Sequence, residues 1–506
     1  MTVRTLINRL LPPGTRLRRM LVRWMRMLSG RPMYQIERIS GRAWRRWLVR
    51  QGEAVLIHSV RSGESGTGVF LLDCRRIPDG AGLRARLMET GAARVFLALD
   101  DLVVDEGGLS RMGEMLGGEK SLVYGDDDRL DGAGRRLRPR LRPHYSRILF
   151  ENAWYLGELV ACQRERLLGF LGAGGAGLLS LPLREVLSRF VLGLADREIG
   201  HCAQIVAHLR PGASTRDWSS HRSPPALVSP GPLDVSIIIP NRDQSGMLAR
   251  CLDSLRKWPG DHRLEILIVE NGSREPVTFA FYERLRSDPS VRILEWKAPF
   301  NYAAINNMAA AASQGSLLLF LNNDVEARQA WLDPLAHYAL RPDVGVVGAK
   351  LLYPSGRIQH AGLVLGMGGS AGHIFRCSPG HSDGYLGLLR FPRDAGAVTG
   401  ACIMMRKDVF ARIGGFDEEL AVTCNDVDLC LRVHAAGLRV VWAPGAELVH
   451  HESVSRGQDD SPEKVARLAA EVARLNAHWS KRMPEFEPLA HPMFDMSRED
   501  VCLRDG

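Results

Sequence analysis

From position 235 onward, short apolar runs alternate with longer segments in which apolar residues recur every three or four positions. The runs VSIIIP (235–240), LEILIVE (264–270), VRILEW (291–296), SLLLFLN (316–322), VGVVGAKLL (344–352), ACIMM (401–405) and LRVVWAP (438–444) have the length and β-branched content of buried strands. The intervening segments predict helices. Ser245-Gly246 precedes MLARCLDSLRKW, and Tyr302 to Ala312 is an alanine-rich stretch that Gly315 is expected to cap. Ser461-Pro462-Glu463 opens a third helix carrying Val465, Leu468, Val472 and Leu475. Strands separated by such helices predict an α/β domain, Rossmann-like, with a mostly parallel sheet.

The first half of the chain echoes this pattern. VFLALDDLV (95–103) resembles LLFLNNDVE, and GELVACQRERLLGFLG (157–172) resembles GACIMMRKDVFARIGG (400–415). Arg164 and Arg406 stand 242 positions apart, as do His208 and His450, and one offset shared by two motifs predicts a duplicated fold. The copies are unequal. The first has no counterpart of the VSIIIPNRD entry and carries apolar residues where the second has Asn425-Asp426-Val427-Asp428, so any catalysis is expected in the second. The Pro- and Ser-rich HRSPPALVSPGPLD marks a linker. The expected divisions are a basic segment over 1–36, a first domain over 37–215, a linker over 216–233, a catalytic domain over 234–458, and a helix and tail over 459–506.

A length of 506 residues fits at least two domains, and 45% hydrophobic with 24% charged residues fits globular ones. The net charge of +9 is concentrated at the start, where eight arginines and no acid occur in the first 36 residues. Interleaved with Leu, Met, Val and Trp24, they predict a basic amphipathic helix suited to an anionic membrane surface. That segment lacks the apolar core of a secretory signal, and no run of about 18 apolar residues spans a bilayer, so a cytoplasmic, peripheral protein is expected. Nine scattered cysteines without a CxxC pair predict neither metal cluster nor disulfide framework.

Ligands of open α/β sheets bind at the carboxyl ends of strands, so those ends are read together. They carry Pro240-Asn241-Arg242-Asp243, Glu270-Asn271-Gly272-Ser273, Asn322-Asn323-Asp324 and His450-His451. A mixed oxygen and nitrogen set with one carboxylate and one imidazole suits Mg²⁺ or Mn²⁺ shared with substrate phosphates. Neither GxGxxG nor GxxxxGK[ST] follows the first two strands, which excludes the usual dinucleotide and P-loop sites. Taken alone, Asn and Asp after a strand are usually turn formers.

In this order the motifs over about 233–500 resemble family 2 glycosyltransferases of the GT-A fold. The resemblance implies a nucleotide-sugar donor (UDP- or dTDP-sugar), a glycan or lipid-linked acceptor, Mg²⁺ or Mn²⁺ and no nucleic acid. It implies donor contacts from Pro240, Asn241, Arg242, Glu270, Asn271, Ser273, Asn307, Asn322 and Asn323. Glu270 stands where the family more often has Asp. LNND is similar to the family's DxD motif, making Asp324 a metal ligand with Asn322 replacing the first acid. GGFDEEL…NDVDLCLR resembles the acceptor segment, implying Asp426 as general base with Gly400, Asp417 and Asn425 on the acceptor side. Asp428 is read instead as the partner of Arg432 on a helix. ELVHHESVSRG resembles the late metal segment and favours His450 over His451. The first half is similar to a degenerate GT-A-like domain in which Asp100 matches Asp324, with Asp126, Asp127 and Asp128 expected in a solvated turn. The implied activity is inverting, metal-dependent sugar transfer in bacterial cell-surface polysaccharide (O-antigen type) synthesis. The alternative is a non-catalytic glycan- or nucleotide-binding scaffold; a nucleotidyltransferase is disfavoured because no basic, Gly-rich loop follows the first strand.

Overall fold

All seven apolar runs of the second half form strands of one sheet. The computed structural model describes Trp44, Leu48, residues 64–65, 69–213, 231–258, 261–328, 330–451, 462–494 and Leu503; the basic segment 1–36 and most of the 216–233 linker lie outside the described residues. The first sheet comprises β1 (Glu64–Ser65), β2 (Val69–Asp73), β3 (Arg94–Ala98), β4 (Leu102–Val104), β5 (Leu122–Leu130), β6 (Arg136–Arg140), β7 (Leu159–Gln163) and β8 (Ile199–Leu209). The second half contributes β9 (Asp234–Asn241), β10 (Arg263–Glu270), β11 (Val291–Glu295), β12 (Leu317–Leu321), β13 (Val325–Ala327), β14 (Val344–Leu352), β15 (Ile358–His360), β16 (Leu363–Leu365), β17 (Ala371–His373), β18 (Arg393–Asp394), β19 (Cys402–Arg406) and β20 (Arg439–His450).

The second sheet has the order β11-β10-β9-β12-β19-β14-β20-β13, with β15 paired to β14 and β18 to β20, while β16 and β17 pair separately. Strands β9 to β12 and the β14–β20 pair run parallel, and β19 is inserted antiparallel between β12 and β14. LLLFL of β12 is buried along its whole length because helices cover both faces. Its side chains alternate, with Leu318 and Phe320 in one apolar cluster and Leu317, Leu319 and Leu321 in the other.

The helix Tyr302–Ala312 starts as the sequence predicts, capped by Asn301, whose Oδ1 accepts from the Ala304 amide at 3.0 Å. Its end is not a glycine cap. Ser313 is already extended after Ala312, and Gly315 lacks a left-handed φ. A Cβ at Gly315 would meet the Ser236 amide at 2.6 Å, so close backbone approach is what requires glycine there.

The first sheet repeats this plan. Its path β2-β3-β7-β5-β8-β4, with β6 on β5, has the same sequence of parallel and antiparallel pairings as β9-β12-β19-β14-β20-β13 with β15 on β14. His208 opposes Val103 as His450 opposes Val325. Beyond the shared path, the second sheet adds β10 and β11 in parallel, whereas the first ends on the short antiparallel β1.

The two halves pack on a continuous core, with Leu122, Phe150 and Tyr155 in one apolar cluster with Phe320, Phe391 and Trp442. Polar ties close the rim. Arg341 meets Glu151 at 2.5 Å, Ser146 Oγ donates to Asp394 at 2.6 Å, and the Tyr385 hydroxyl accepts from the Leu141 amide at 2.8 Å. The tail joins them, since the His144 amide donates to Pro488 O at 2.8 Å. Of the cysteines described, all eight are free and seven are buried. No described helix is long and apolar enough to cross a membrane.

Asp126, Asp127 and Asp128 correct the expectation of a solvated turn: all three are buried on β5. Asp127 pairs with Arg140 and Arg142, both at 2.5 Å, and Asp128 with Arg136 at 2.6 Å and His208 at 2.5 Å. Burial of carboxylates on this scale is tolerated because each has cationic or N–H partners.

Candidate active site

Strand β12 ends at Leu321, and the chain turns through Asn322, Asn323 and Asp324 before β13 pairs with β20. Asp324 is 4% exposed. Its Oδ1 has no hydrogen-bond partner although His450 Nε2 lies 3.1 Å away. His450 Nδ1 is 2.7 Å from Gln359 Oε1, and an amide oxygen accepts only from a protonated Nδ1. With the Nδ1 proton so placed, Nε2 is the nitrogen directed toward Asp324, and the Asn322 Nδ2 group lies 3.4 Å from it. A carboxylate oxygen and an imidazole lone pair facing each other in a buried place repel unless a cation or proton lies between them. This donor set fits Mg²⁺ or Mn²⁺. Strand alternation turns the next residue away: His451 pairs with Glu326 at 2.9 Å.

Asp426 lies in the first turn of the helix Asn425–Ala435, which follows Cys424 in a left-handed conformation (φ 63°). The Gly400 amide donates to Asp426 Oδ2 at 2.8 Å and the Val427 amide to Oδ1 at 2.9 Å. Burial pushes the Asp426 carboxyl above its ordinary range, and the two backbone N–H groups oppose this. Tyr302 holds the same loop by donating its hydroxyl to Gly400 O at 2.9 Å.

Two pairs of adjacent residues join Asp426 to the Asp324 tip. Gly400 bonds Asp426 while Ala401 O accepts from the Asn322 amide at 3.1 Å. Gln359 bonds His450 while His360 Nε2 accepts from the Thr399 amide at 3.4 Å. His360 Nδ1 is then the proton donor to His373 Nδ1, 3.0 Å away, and burial keeps His360 neutral. Gln359, Thr399, His360 and Tyr302 were not singled out from the sequence. The one available signal was IQH, a Gln-His pair within a strand of otherwise buried character.

Other expected donor residues form a bracket among themselves. Asn241 donates to the Tyr282 hydroxyl at 2.7 Å and accepts from Asn323 at 2.6 Å, joining the tips of β9 and β12. Both Glu270 oxygens are occupied, Oε1 by the Ser273 amide at 2.5 Å and Oε2 by the Ser273 and Tyr282 hydroxyls at 2.7 and 2.6 Å. Asn271 is buried, and its amide donates to Asn241 O at 2.9 Å. Pro240 is half-buried and Arg242 exposed beside them. In this structure the carboxylate of Glu270 thus shapes the β10 loop.

Asn307 departs from the expectation of a donor contact. Its amide donates to Phe416 O and Glu418, both at 3.0 Å, and accepts from the Phe416 amide at 2.9 Å, so it fastens the acceptor-side segment to its helix. Asn425 is buried with its amide on Leu420 O at 3.2 Å, a turn-closing role. Asp417 meets Arg474 at 3.2 Å. Asp428 bonds Arg432 at 2.8 Å and the Trp479 indole at 2.9 Å, the structural role read from the sequence. Asp417, Asp428, Arg432, Arg474 and Trp479 line a cavity of about 310 Å³ against the helix Pro462–Trp479.

Asp126, His201 and His491 form a further group of ligand-type side chains among the described residues. His491 Nδ1 accepts from the Met493 amide at 3.2 Å, which leaves its proton on Nε2, 2.7 Å from Asp126. That proton occupies the position a metal would need. The group is a hydrogen-bonded tie between tail and first half.

Residues 236–414 match the family described as Glycosyl transferase family 2. The chain is 37% identical over 427 residues to the O-antigen biosynthesis protein RfbC of Myxococcus xanthus, covering 76% of this chain and 32% of that protein. It is 29% identical over 223 residues to the N-acetylglucosaminyl-diphospho-decaprenol L-rhamnosyltransferase of Mycobacterium tuberculosis, covering 40% of this chain and 71% of that one. The crystal structure of GalNAc-T7 with UDP, GalNAc and Mn²⁺ aligns with a TM-score of 0.43 and 13% identity over 50% of each chain. The chain spans less than half the length of the curated relatives that it matches over 76% of its own.

Proposed function

Residues 236–414 being a family 2 glycosyltransferase domain, we propose that the chain transfers a sugar from a UDP- or dTDP-sugar to a glycan or lipid-linked acceptor, with inversion, in cell-surface polysaccharide synthesis. The observation that carries this reading is the junction of Asp426 with the Asp324 tip through Gly400-Ala401 and Gln359-His360. A base for the acceptor hydroxyl beside an anion-neutralising tip is what displacement of a diphosphate requires.

Asp426 accepts the acceptor hydroxyl's proton as that oxygen bonds to the anomeric carbon, and the nucleoside diphosphate leaves with the electrons of the broken C–O bond. The amides of Gly400 and Val427 hold the carboxylate in place for this. Asp324 and His450 would hold Mg²⁺ or Mn²⁺, which when bound neutralises charge on the departing diphosphate. Asn322 contributes no charge, so metal affinity leans on the donor's phosphates. Arg242, Asn271 and Ser273 form the donor side of the site, and Gly400, Asp417 and Asn425 shape the acceptor side. The basic segment 1–36 brings the enzyme to anionic lipid; co-sedimentation with anionic vesicles that is unchanged by deleting residues 1–31 would remove that part.

The test is Asp426→Asn. Transfer should fall by about 10²–10⁴-fold while UDP affinity persists. Undiminished transfer would eliminate Asp426 as the base.

A further inference from the structure

We propose that Gln359 is a positioning residue that sets the tautomer of His450 and thereby makes its Nε2 available to a divalent cation. The inference rests on the metal-dependent reading of the same site. Ile358, Gln359 and His360 of β15 are all buried, and Gln359 is 5% exposed. A primary amide so placed is unfavourable unless it is hydrogen-bonded, and its oxygen is bonded to His450 Nδ1 at 2.7 Å. That contact requires a proton on Nδ1, so in the neutral ring the free lone pair is the one on Nε2, the nitrogen 3.1 Å from Asp324 Oδ1, which has no hydrogen bond of its own. Partners of this kind, behind a ligating imidazole, fix its orientation and raise its basicity.

The first half shows what happens without this arrangement. Arg136 opposes Leu130 as Ile358 opposes Leu352, but the next rung pairs Leu137 with Arg129 in the first half and His360 with Leu351 in the second, so Gln359 is a bulge residue without a paired counterpart in the first half. His208, at the place of His450, has its Nδ1 on the Asp128 carboxylate at 2.5 Å. Its Nε2 is buried without a hydrogen-bond partner, and the Asp128 carboxylate is committed to Nδ1, Arg136 and Trp44. The same histidine thus faces a carboxylate through Nε2 only where Gln359 holds the other nitrogen.

The experiment uses the full chain with UDP and titrates Mn²⁺ by calorimetry and by electron paramagnetic resonance. Gln359→Leu, which removes the amide while keeping most of the side-chain volume, should weaken Mn²⁺ binding about 10–100-fold. Gln359→Glu keeps an oxygen acceptor for the same Nδ1–H and should stay within about threefold of the parent, a rescue that loss of packing alone would not give. In the metal-free parent, ¹⁵N spectra should show His450 protonated on Nδ1, a readout that does not depend on any variant folding. An Nε2–H tautomer in the parent would overturn the proposal, as would unchanged Mn²⁺ affinity in Gln359→Leu when His450→Ala and Asp324→Ala both lose it. If those two variants bind Mn²⁺ like the parent, the metal-dependent reading itself fails and the role of Gln359 with it.

Discussion

The two sheets share a strand path and a histidine at the same register, yet their strand tips are chemically opposite. In the first half every carboxylate of the Asp126–Asp128 run is buried and saturated: Asp127 by two arginines, Asp128 by Arg136, Trp44 and His208, and Asp126 by His201 and His491. In the second half Asp324 is equally buried, but its Oδ1 lacks a hydrogen bond and faces the His450 imidazole at 3.1 Å. A carboxylate whose lone pairs are consumed by guanidinium groups stabilises a fold; one left with an open oxygen is poised for a cation. The difference extends to the sheet edges. The second half adds β10 and β11, with Glu270 at the end of β10 and Ser273 in the loop after it, while the first stops at the two-residue β1. The halves share one scaffold, and the first differs in lacking the β10–β11 edge and in having its acids paired.

The largest effect expected from this contrast is at the tips. Asp324→Ala should abolish Mn²⁺-dependent binding of UDP and reduce transfer to background, whereas Asp100→Ala, at the corresponding tip of the first half, should leave both within about twofold; calorimetry and a donor-turnover assay read the pair. Next is Asp128→Ala. Removing this buried carboxylate leaves Arg136 and His208 without their shared anion, and should cost about 3–5 kcal/mol in denaturant unfolding while UDP affinity of the folded protein is unchanged.

A smaller effect concerns the tail that joins the halves. Glu487 is buried, accepts from the Leu365 and Leu489 amides at 2.7 and 2.8 Å, and burial raises its carboxyl from 4.5 to about 7. Between those values the unfolded chain has lost its proton while the folded chain keeps it, so this group's contribution to stability falls as pH rises through that window. Glu487→Gln should remove that pH dependence, flattening the stability profile by up to about 3 kcal/mol between pH 4.5 and 7 in thermal or denaturant unfolding. The smallest expected effect is a displacement in pH. Because burial raises Asp426 and the base must be ionised, the acid limb of kcat/KM should lie above the ordinary aspartate range and vanish from the profile of Asp426→Asn.

Much of this architecture was legible in the sequence. Buried strands such as VSIIIP and LLLFL announce themselves through uninterrupted apolar runs, and the motifs NRD, ENGS, NND and HH stand at the carboxyl ends of β9, β10, β12 and β20, where the sequence put them. The repeat was visible in the shared offset of two motifs, since topology constrains both copies alike. Other features depend on contacts between distant segments, which no local pattern encodes. Asn307 looks the same in sequence whether it faces a nucleotide or clasps Phe416, and Asp126–Asp128 read as solvated until their arginines are brought across from β6 and the loop after it. Gln359 was invisible for the same reason: its partner lies 91 residues away. Gly315 was recognised as special, but for its conformation rather than for the approach of Ser236 that excludes a side chain.

On the proposed mechanism the Asp324–His450 tip, and not its counterpart in the first half, would hold the divalent cation beside the donor diphosphate. Anomalous diffraction at the manganese edge from crystals grown with UDP and Mn²⁺ tests it most directly. One peak is expected between Asp324 and His450 and none beside Asp100, Asp128 or His208; a peak in the first half, or none at Asp324 while UDP is bound, would contradict the metal assignment.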